Sequence, residues 1–226
     1  MSRDSDVKGH RMRMRKKAEE QGYSALTDQE LLELFLFPLR PRIDTKPMAK
    51  ALLREFGNFS TIMKSHDQLQ KRVSGIGAET EHHFALIAEM LDRLSFENIK
   101  KGNIIANWHD LEYYCIQKLS HEPIECFMMI LLDNQNRTIG VEKLGGGTVN
   151  QMMVYPREVL RLALANNAVN VIIVHNHPSG DKRPSRDDIE MTKTLQDALK
   201  SARINLHDHL IVAGGSCISL RNLGLF

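Results

Sequence analysis

The side chains with the most chemistry to offer lie close together late in the chain. His175 and His177 stand one residue apart, and Asp188 follows eleven positions later. Before His175 comes Val171-Ile-Ile-Val174, a run of β-branched residues that suits a buried strand and is too short for a helix. On an extended backbone, residues two apart point to the same side, so both imidazoles can reach one ion. Pro178 stops the strand. A polar loop with Gly180 and Pro184 can then fold Asp188 back toward the histidines. Two imidazoles and one carboxylate, with a fourth position left to water, form the pattern of a catalytic zinc site. Each part also has a plainer reading. Ser185-x-x-Asp188 is a helix capping box in its own right, and a His-x-His at a strand end can be purely structural. Capping and ligation are compatible, because Ser185 can hold the helix start while Asp188 points out to the ion.

His175, His177, Pro178, Ser185 and Asp188 together spell His-x-His-Pro, a short loop, then Ser-x-x-Asp. This resembles the JAMM (MPN-plus) metalloprotease signature. The wording His-Asn-His-Pro-Ser-Gly is similar to the RadC branch of that group. So are Tyr155-Pro-Arg-Glu158 upstream and Asp208-His209-Leu-Ile-Val212 downstream. The resemblance covers at least Ile104 to Phe226 and extends more faintly over the N-terminal half. It implies zinc held by His175, His177 and Asp188, and a peptide or protein substrate cut at an amide or isopeptide bond. It also implies a general base, a glutamate on an earlier strand before a glycine-rich turn. Glu142 fits, with Ile139 and Val141 as alternating neighbours and Gly145-Gly-Gly147 just after. Glu158 is the rival carboxylate, but it sits in the first turn of a helix, where the helix dipole already accounts for it. Ser185 would donate a hydrogen bond to the oxyanion. RadC-like proteins are also associated with DNA repair. The alternative function is therefore a DNA-associated factor whose metal site acts on nucleic acid or is structural.

The elements around the site can be read in turn. Trp108 to Leu119 has the period of an amphipathic helix, and Ile124 to Leu132 is apolar enough for a central strand. Asp133-Asn-Gln-Asn136 is a hairpin turn, and Arg137 to Lys143 returns as the paired strand. A further short strand is expected near Thr148 to Val154. Pro156 opens a helix at the position where its missing N–H costs little. A helix from Ser185 to Ser201 follows the metal strand, and Ile204 to Ala213 and Cys217 to Arg221 close the sheet. His207 and His209 flank Asp208 and are expected to be structural or to support the ligands.

The N-terminal half reads as helical. Residues 1–22 hold almost no apolar content and are expected to form a flexible basic arm, either solvated or touching phosphates through Arg11, Arg13, Arg15, Lys16 and Lys17. Thr27-Asp-Gln-Glu30 is a capping box, and Pro38 and Pro41 are expected to end its helix. Met48 to Phe56 is a second helix capped by Gly57, and Phe59 to Met63 a third. The turn Val73-Ser-Gly75-Ile76-Gly77 leads into a helix expected to bury Phe84, Leu86, Ile87, Met90 and Leu94. Helix, Gly-Ile-Gly turn and helix resemble a helix-hairpin-helix module, in which Gly75 and Gly77 would let backbone N–H groups approach a phosphate. Glu79 and Glu81 after the turn would oppose DNA, so a purely structural module is the other reading.

The expected organisation is thus a basic arm over 1–22, a helical module over 23–97, a linker near Asn98 to Asn103, and a metal-binding domain over 104–226. The fold class is α+β or α/β, an all-α module before a mixed-sheet JAMM/MPN (cytidine-deaminase-like) domain flanked by helices. Composition sets outer limits. A length of 226 residues suits one or two domains, and a net charge of +2 does not by itself argue for nucleic acid. Residues 1–100 carry 17 Lys/Arg against 15 Asp/Glu, and the remainder carries 13 of each, so the basic excess is local. Phe127 to Leu132, the longest apolar run, is far too short to span a bilayer. Three scattered cysteines make no disulfide framework and, with no visible secretory signal, point to the cytoplasm.

Overall fold

The computed structural model describes residues 2–146 and 154–226. The strand expected near Thr148 to Val154 lies outside them apart from Val154. Two compact units are present, Met1–Leu91 and Asp92–Phe226.

The first unit is all helical. It comprises α1 (Ser2–Gln21), α2 (Asp28–Leu39), α3 (Lys46–Phe56), α4 (Phe59–Lys64), α5 (Leu69–Arg72) and the start of α6 (Ala78–Lys100). The capping box at Thr27 is present in both directions, and Asn58 caps α4 through Thr61 N. Pro38 does not end α2. It sits in the last turn, and the helix runs on to Leu39. The core gathers Leu32, Leu36, Leu52, Ile62, Leu69 and Phe84. On α6 only Phe84 of the expected apolar side is fully buried; Leu86, Met90 and Leu94 are exposed. Thr80 and Phe84 face the core, and a residue two positions on is turned about 200° away on a helix of 3.6 residues per turn.

The flexible arm is the largest departure from expectation, because residues 2–21 form α1. Met14 and Ala18, one turn apart, are buried, and three of the polar side chains of the segment, His10, Arg11 and Lys17, have partners on or just after α2. His10 Nε2 lies 2.7 Å from the buried carboxylate of Glu33, and Lys17 pairs with Glu30 at 2.7 Å. Arg11 donates to the carbonyls of Phe37 (3.1 Å), Arg40 and Ile43 (2.6 Å). These groups lie at or beyond the C-terminal end of α2, where carbonyls lack helical partners and carry partial negative charge. Of the five cations read as phosphate contacts, Arg13, Arg15 and Lys16 are exposed. In the Gly-Ile-Gly turn, Gly75 has φ +87°, and a Cβ on Gly77 would come within 2.9 Å of Arg40 Nη2. The glycine thus leaves room for a guanidinium. Glu81 is engaged as well, accepting from Gln70 N at 2.6 Å at the start of α5.

The second unit begins within α6. The helix continues to Lys100, and Ile99 and Ile104 are buried in the core where a linker was expected. Then come α7 (Trp108–Leu119), β1 (Cys126–Leu132), β2 (Thr138–Gly146), α8 (Pro156–Ala165), β3 (Asn170–Asn176), α9 (Arg186–Ser201), β4 (Asn205–Ala213) and β5 (Ser216–Ser219). The sheet order is β2-β1-β3-β4-β5, with β3 and β4 parallel and every other pair antiparallel. Leu111, Cys115 and Leu119 of α7 pack on one face with Met128, Ile130, Ile172 and Val174. Val159 and Ala163 of α8 and Leu195 and Leu199 of α9 pack on the other with Met129, Leu131, Val171 and Ile173. This is the α+β architecture of a mixed sheet flanked by helices. The alternation within β3 is complete, so both faces are apolar and the strand is central.

Arg11→Ala should destabilise the first unit by about 1–3 kcal/mol, the usual worth of charge-assisted bonds to backbone. Arg11→Lys should restore only part, because an ammonium lacks the guanidinium fork. Hydrogen exchange at the α2 C-terminal turn reads this directly. Unchanged protection in Arg11→Ala would contradict the docking of α1.

Candidate metal centre

His175 is the last inward-facing residue of β3 and is fully buried. Its ring stacks on Phe127, its neighbour in register on β1, with centroids 4.6 Å apart and planes 15° apart. Asn176 points the other way. It donates to the carbonyls of Glu122 (3.2 Å) and Ile124 (3.0 Å) and accepts from Cys126 N (2.7 Å), so it ties the approach to β1 to the end of β3. His177 continues the strand pairing by one bond, N to Val212 O at 2.9 Å. The chain then turns at Gly180, whose φ of +78° suits glycine. The turn brings the Asp181 carbonyl to 2.7 Å from His177 Nδ1. A carbonyl only accepts, so His177 donates from Nδ1 and Nε2 is the nitrogen turned inward.

Ser185 is the N-cap of α9, and the capping box with Asp188 is present in both directions. Asp188 divides its two oxygens. Oδ2 accepts from Ser185 N and Ser185 Oγ, each at 2.7 Å. Oδ1 lies 3.1 Å from His175 Nε2. His175 Nε2 and His177 Nε2 are 3.0 Å apart, and His177 Nε2 is 3.4 Å from Asp188 Oδ2. One donor atom from each of the three residues falls within 4.8 Å of the others. Cap and convergence coexist in one residue.

The electrostatics follow from this packing. Burial alone would raise the Asp188 carboxyl. The hydrogen bond and charge of His175 and the bonds from Ser185 outweigh it, and its pKa lies well below the ordinary carboxylate range. Burial pushes the His209 imidazolium well below its usual value, helped by His175 and opposed by Asp188. His209 Nε2 lies 2.8 Å from His175 Nδ1, and His209 Nδ1 lies 2.6 Å from Thr192 Oγ1. His207 is elsewhere, with its ring 6.3 Å from that of Trp108. The parallel pairing of β3 with β4 slips by one residue between Val171 and Ile172, so Leu206 and Asp208 face consecutive β3 residues. That irregularity separates the faces of His207 and His209 and aims His209 at His175.

Glu142 lies on β2 opposite Met129, which in turn lies opposite Ile173. Residues directly opposite share a face, so Glu142 is on the face of Phe127, Ile173 and His175. From His175 it stands two strands away, roughly 10 Å across the sheet and roughly 7 Å along it. Its rival Glu158 is paired with Arg161 at 2.9 Å on the surface of α8. Ser185 Oγ directs its proton at Asp188 and accepts from Asp188 N at 3.1 Å. Thr192 was missed in the sequence. It lies four residues after Asp188, on the same face of α9, and that spacing was the available signal.

The donors suit a metal. Imidazole nitrogens and a carboxylate oxygen are ordinary ligands for a divalent transition ion, and the edge at His177 and Asp188 is partly open. The buried neutral His209 sets a pH dependence. In the unfolded chain this histidine protonates near pH 6.5, whereas in the native protein it does so only at lower pH. Between those values the unfolded state binds the extra proton, so stability falls as pH drops below about 6.5. In metal-free protein the urea midpoint should decline between about pH 7 and pH 5, and His209→Gln should flatten that decline. Equal slopes in the two proteins would contradict a buried neutral His209.

The strand, loop and helix just described lie within a segment that matches a known family. Residues 105–225 match the model of the RadC-like JAB domain, which covers more than half of the chain, and the chain belongs to that family.

Proposed function

We propose that the protein is a zinc-dependent hydrolase that cleaves an amide or isopeptide bond in a peptide or protein substrate. The observation that supports this furthest is the convergence of His175 Nε2, His177 Nε2 and the Asp188 carboxylate at a partly open edge. Membership in the RadC-like JAB family, whose fold is that of the JAMM metallohydrolases, supports a hydrolytic reaction. A bound zinc ion would supply Lewis acidity, which lowers the pKa of water from about 15.7 to about 7. All other steps fall to the chain. His175 and His177 offer neutral nitrogens, and Asp188 offers the negative charge. Glu142 is the base in this reading. Its carboxylate accepts a proton from the attacking water and later hands it to the leaving amine. The Ser185 hydroxyl turns from Asp188 Oδ2 to the oxyanion of the substrate, a rotation about one bond.

The test compares purified variants. Wild type should carry one zinc per chain. His175→Ala and Asp188→Asn should lose it, the latter with the helix cap retained because an amide oxygen still accepts from Ser185 N. Glu142→Gln should keep the zinc and slow release of new amino termini from peptide and isopeptide-linked substrates by about 10²–10⁴-fold. Full zinc occupancy in His175→Ala and Asp188→Asn would overturn the site. Undiminished turnover in Glu142→Gln would overturn the base.

A further inference from the structure

Beyond the three candidate ligands, a line of buried polar groups runs away from the site. Starting at the backbone carbonyl of Asp188, it passes through Thr192 Oγ1 at 2.5 Å, His209 Nδ1 at 2.6 Å, and from His209 Nε2 to His175 Nδ1 at 2.8 Å. Thr192, His175 and His209 are all fully buried. Water is therefore no substitute partner, and each short contact must hold one proton.

We propose that Thr192 and His209 are positioning residues that fix the tautomer of His175, so that its Nε2 offers a lone pair to the metal position. The proton directions follow from one end. The Asp188 carbonyl can only accept, so the single hydroxyl proton of Thr192 points at it. Toward His209 the threonine then presents only a lone pair, and His209 must donate from Nδ1. A buried neutral imidazole carries one proton, so His209 Nε2 is bare. It accepts from His175, whose proton is therefore on Nδ1. With Nδ1 committed to His209, the nitrogen left to face the site is Nε2, aimed between His177 Nε2 and Asp188 Oδ1, where an ion would take its lone pair in place of a proton.

His177 reaches the same tautomer by a shorter route, a single bond to the Asp181 carbonyl. A buried central strand offers His175 no such carbonyl, since its neighbours' carbonyls are engaged in the sheet. A histidine on β4 and a threonine one turn along α9 from Asp188 carry the polarity in from the helix backbone. The same residue thus supplies a ligand through its side chain and sets a second ligand through its carbonyl. This inference rests on the metal reading for its purpose. The proton positions stand on the hydrogen bonds and on the burial that keeps His209 neutral.

Two measurements test it separately. Long-range ¹⁵N–¹H spectra of the metal-free full-length protein report which ring nitrogens are protonated. His175 Nδ1 should carry a proton and His209 Nε2 should not. A proton on His209 Nε2 would overturn the proposal. Zinc affinity by chelator competition is the second. Thr192→Val keeps the shape but removes the acceptor, and affinity should weaken by roughly 10–100-fold, the usual effect of losing a partner that orients a ligand. Thr192→Ser should restore both the affinity and the spectrum. A valine variant that matches wild type in affinity, or a serine variant as weak as valine, would also overturn the relay. If wild type shows the expected protonation but takes up no zinc, the relay stands and the metal reading falls. If Thr192→Val does not fold, the wild-type spectrum and the serine variant still decide.

Discussion

A fully buried imidazole at the end of a central strand is the constraint on which the site depends. His175 has two ring nitrogens and no access to water, so both must be satisfied by fixed groups. On one side this requires His209, and His209 in turn requires Thr192. The other side faces His177 and Asp188, and three electron-rich atoms at these separations repel one another unless a cation lies among them. Proton and metal compete for that role, which makes the affinity of such a site pH-dependent. The stacking of Phe127 holds the ring plane, so the nitrogens cannot turn to other partners.

The scaffold places these groups by ordinary means. The apolar alternation of β1 and β3 buries both faces of the sheet and leaves the strand end as the place where polar side chains emerge. Asn176 points to the opposite side from the two histidines and binds the segment before β1, so the His-Asn-His run is held from both faces. The α9 capping box sets where the helix begins, and hence where Asp188 and Thr192 fall on its first turns. Asp208 does comparable work beyond the site. It is buried and accepts from Ser219 Oγ at 2.5 Å and from the backbone of His209 at 2.7 Å, next to the slipped pairing that aims His209.

Much of this was legible in the sequence, for identifiable reasons. A four-residue β-branched run, a strand-spaced histidine pair and a capping box are local signals, and β3, α9 and the three converging side chains appear where those signals put them. The family match over 105–225 spans these elements. What escaped depends on contacts between distant segments. His10, Arg11 and Lys17 of α1 looked solvated because their partners, carbonyls at and after the end of α2 and the carboxylates of Glu30 and Glu33, lie more than ten positions away. The apolar side of α6 was drawn through Leu86, Met90 and Leu94, since sequence alone does not say which face of a helix meets a core. A slip in strand pairing leaves no residue signature, so the different faces of His207 and His209 could not be read in advance. Thr192 is an ordinary helix residue until its hydroxyl is seen between a carbonyl and an imidazole.

The central claim is that His175, His177 and Asp188 hold one ion through two imidazole nitrogens and a carboxylate oxygen. X-ray absorption at the zinc edge of the loaded protein tests it most directly. The account predicts a shell of nitrogen and oxygen at about 2.0–2.1 Å, with the outer-shell scattering of two imidazoles and no sulfur. Sulfur scattering near about 2.3 Å would place the ion on the free cysteines, and a shell without imidazole scattering would remove it from the histidines. Either result would contradict the account.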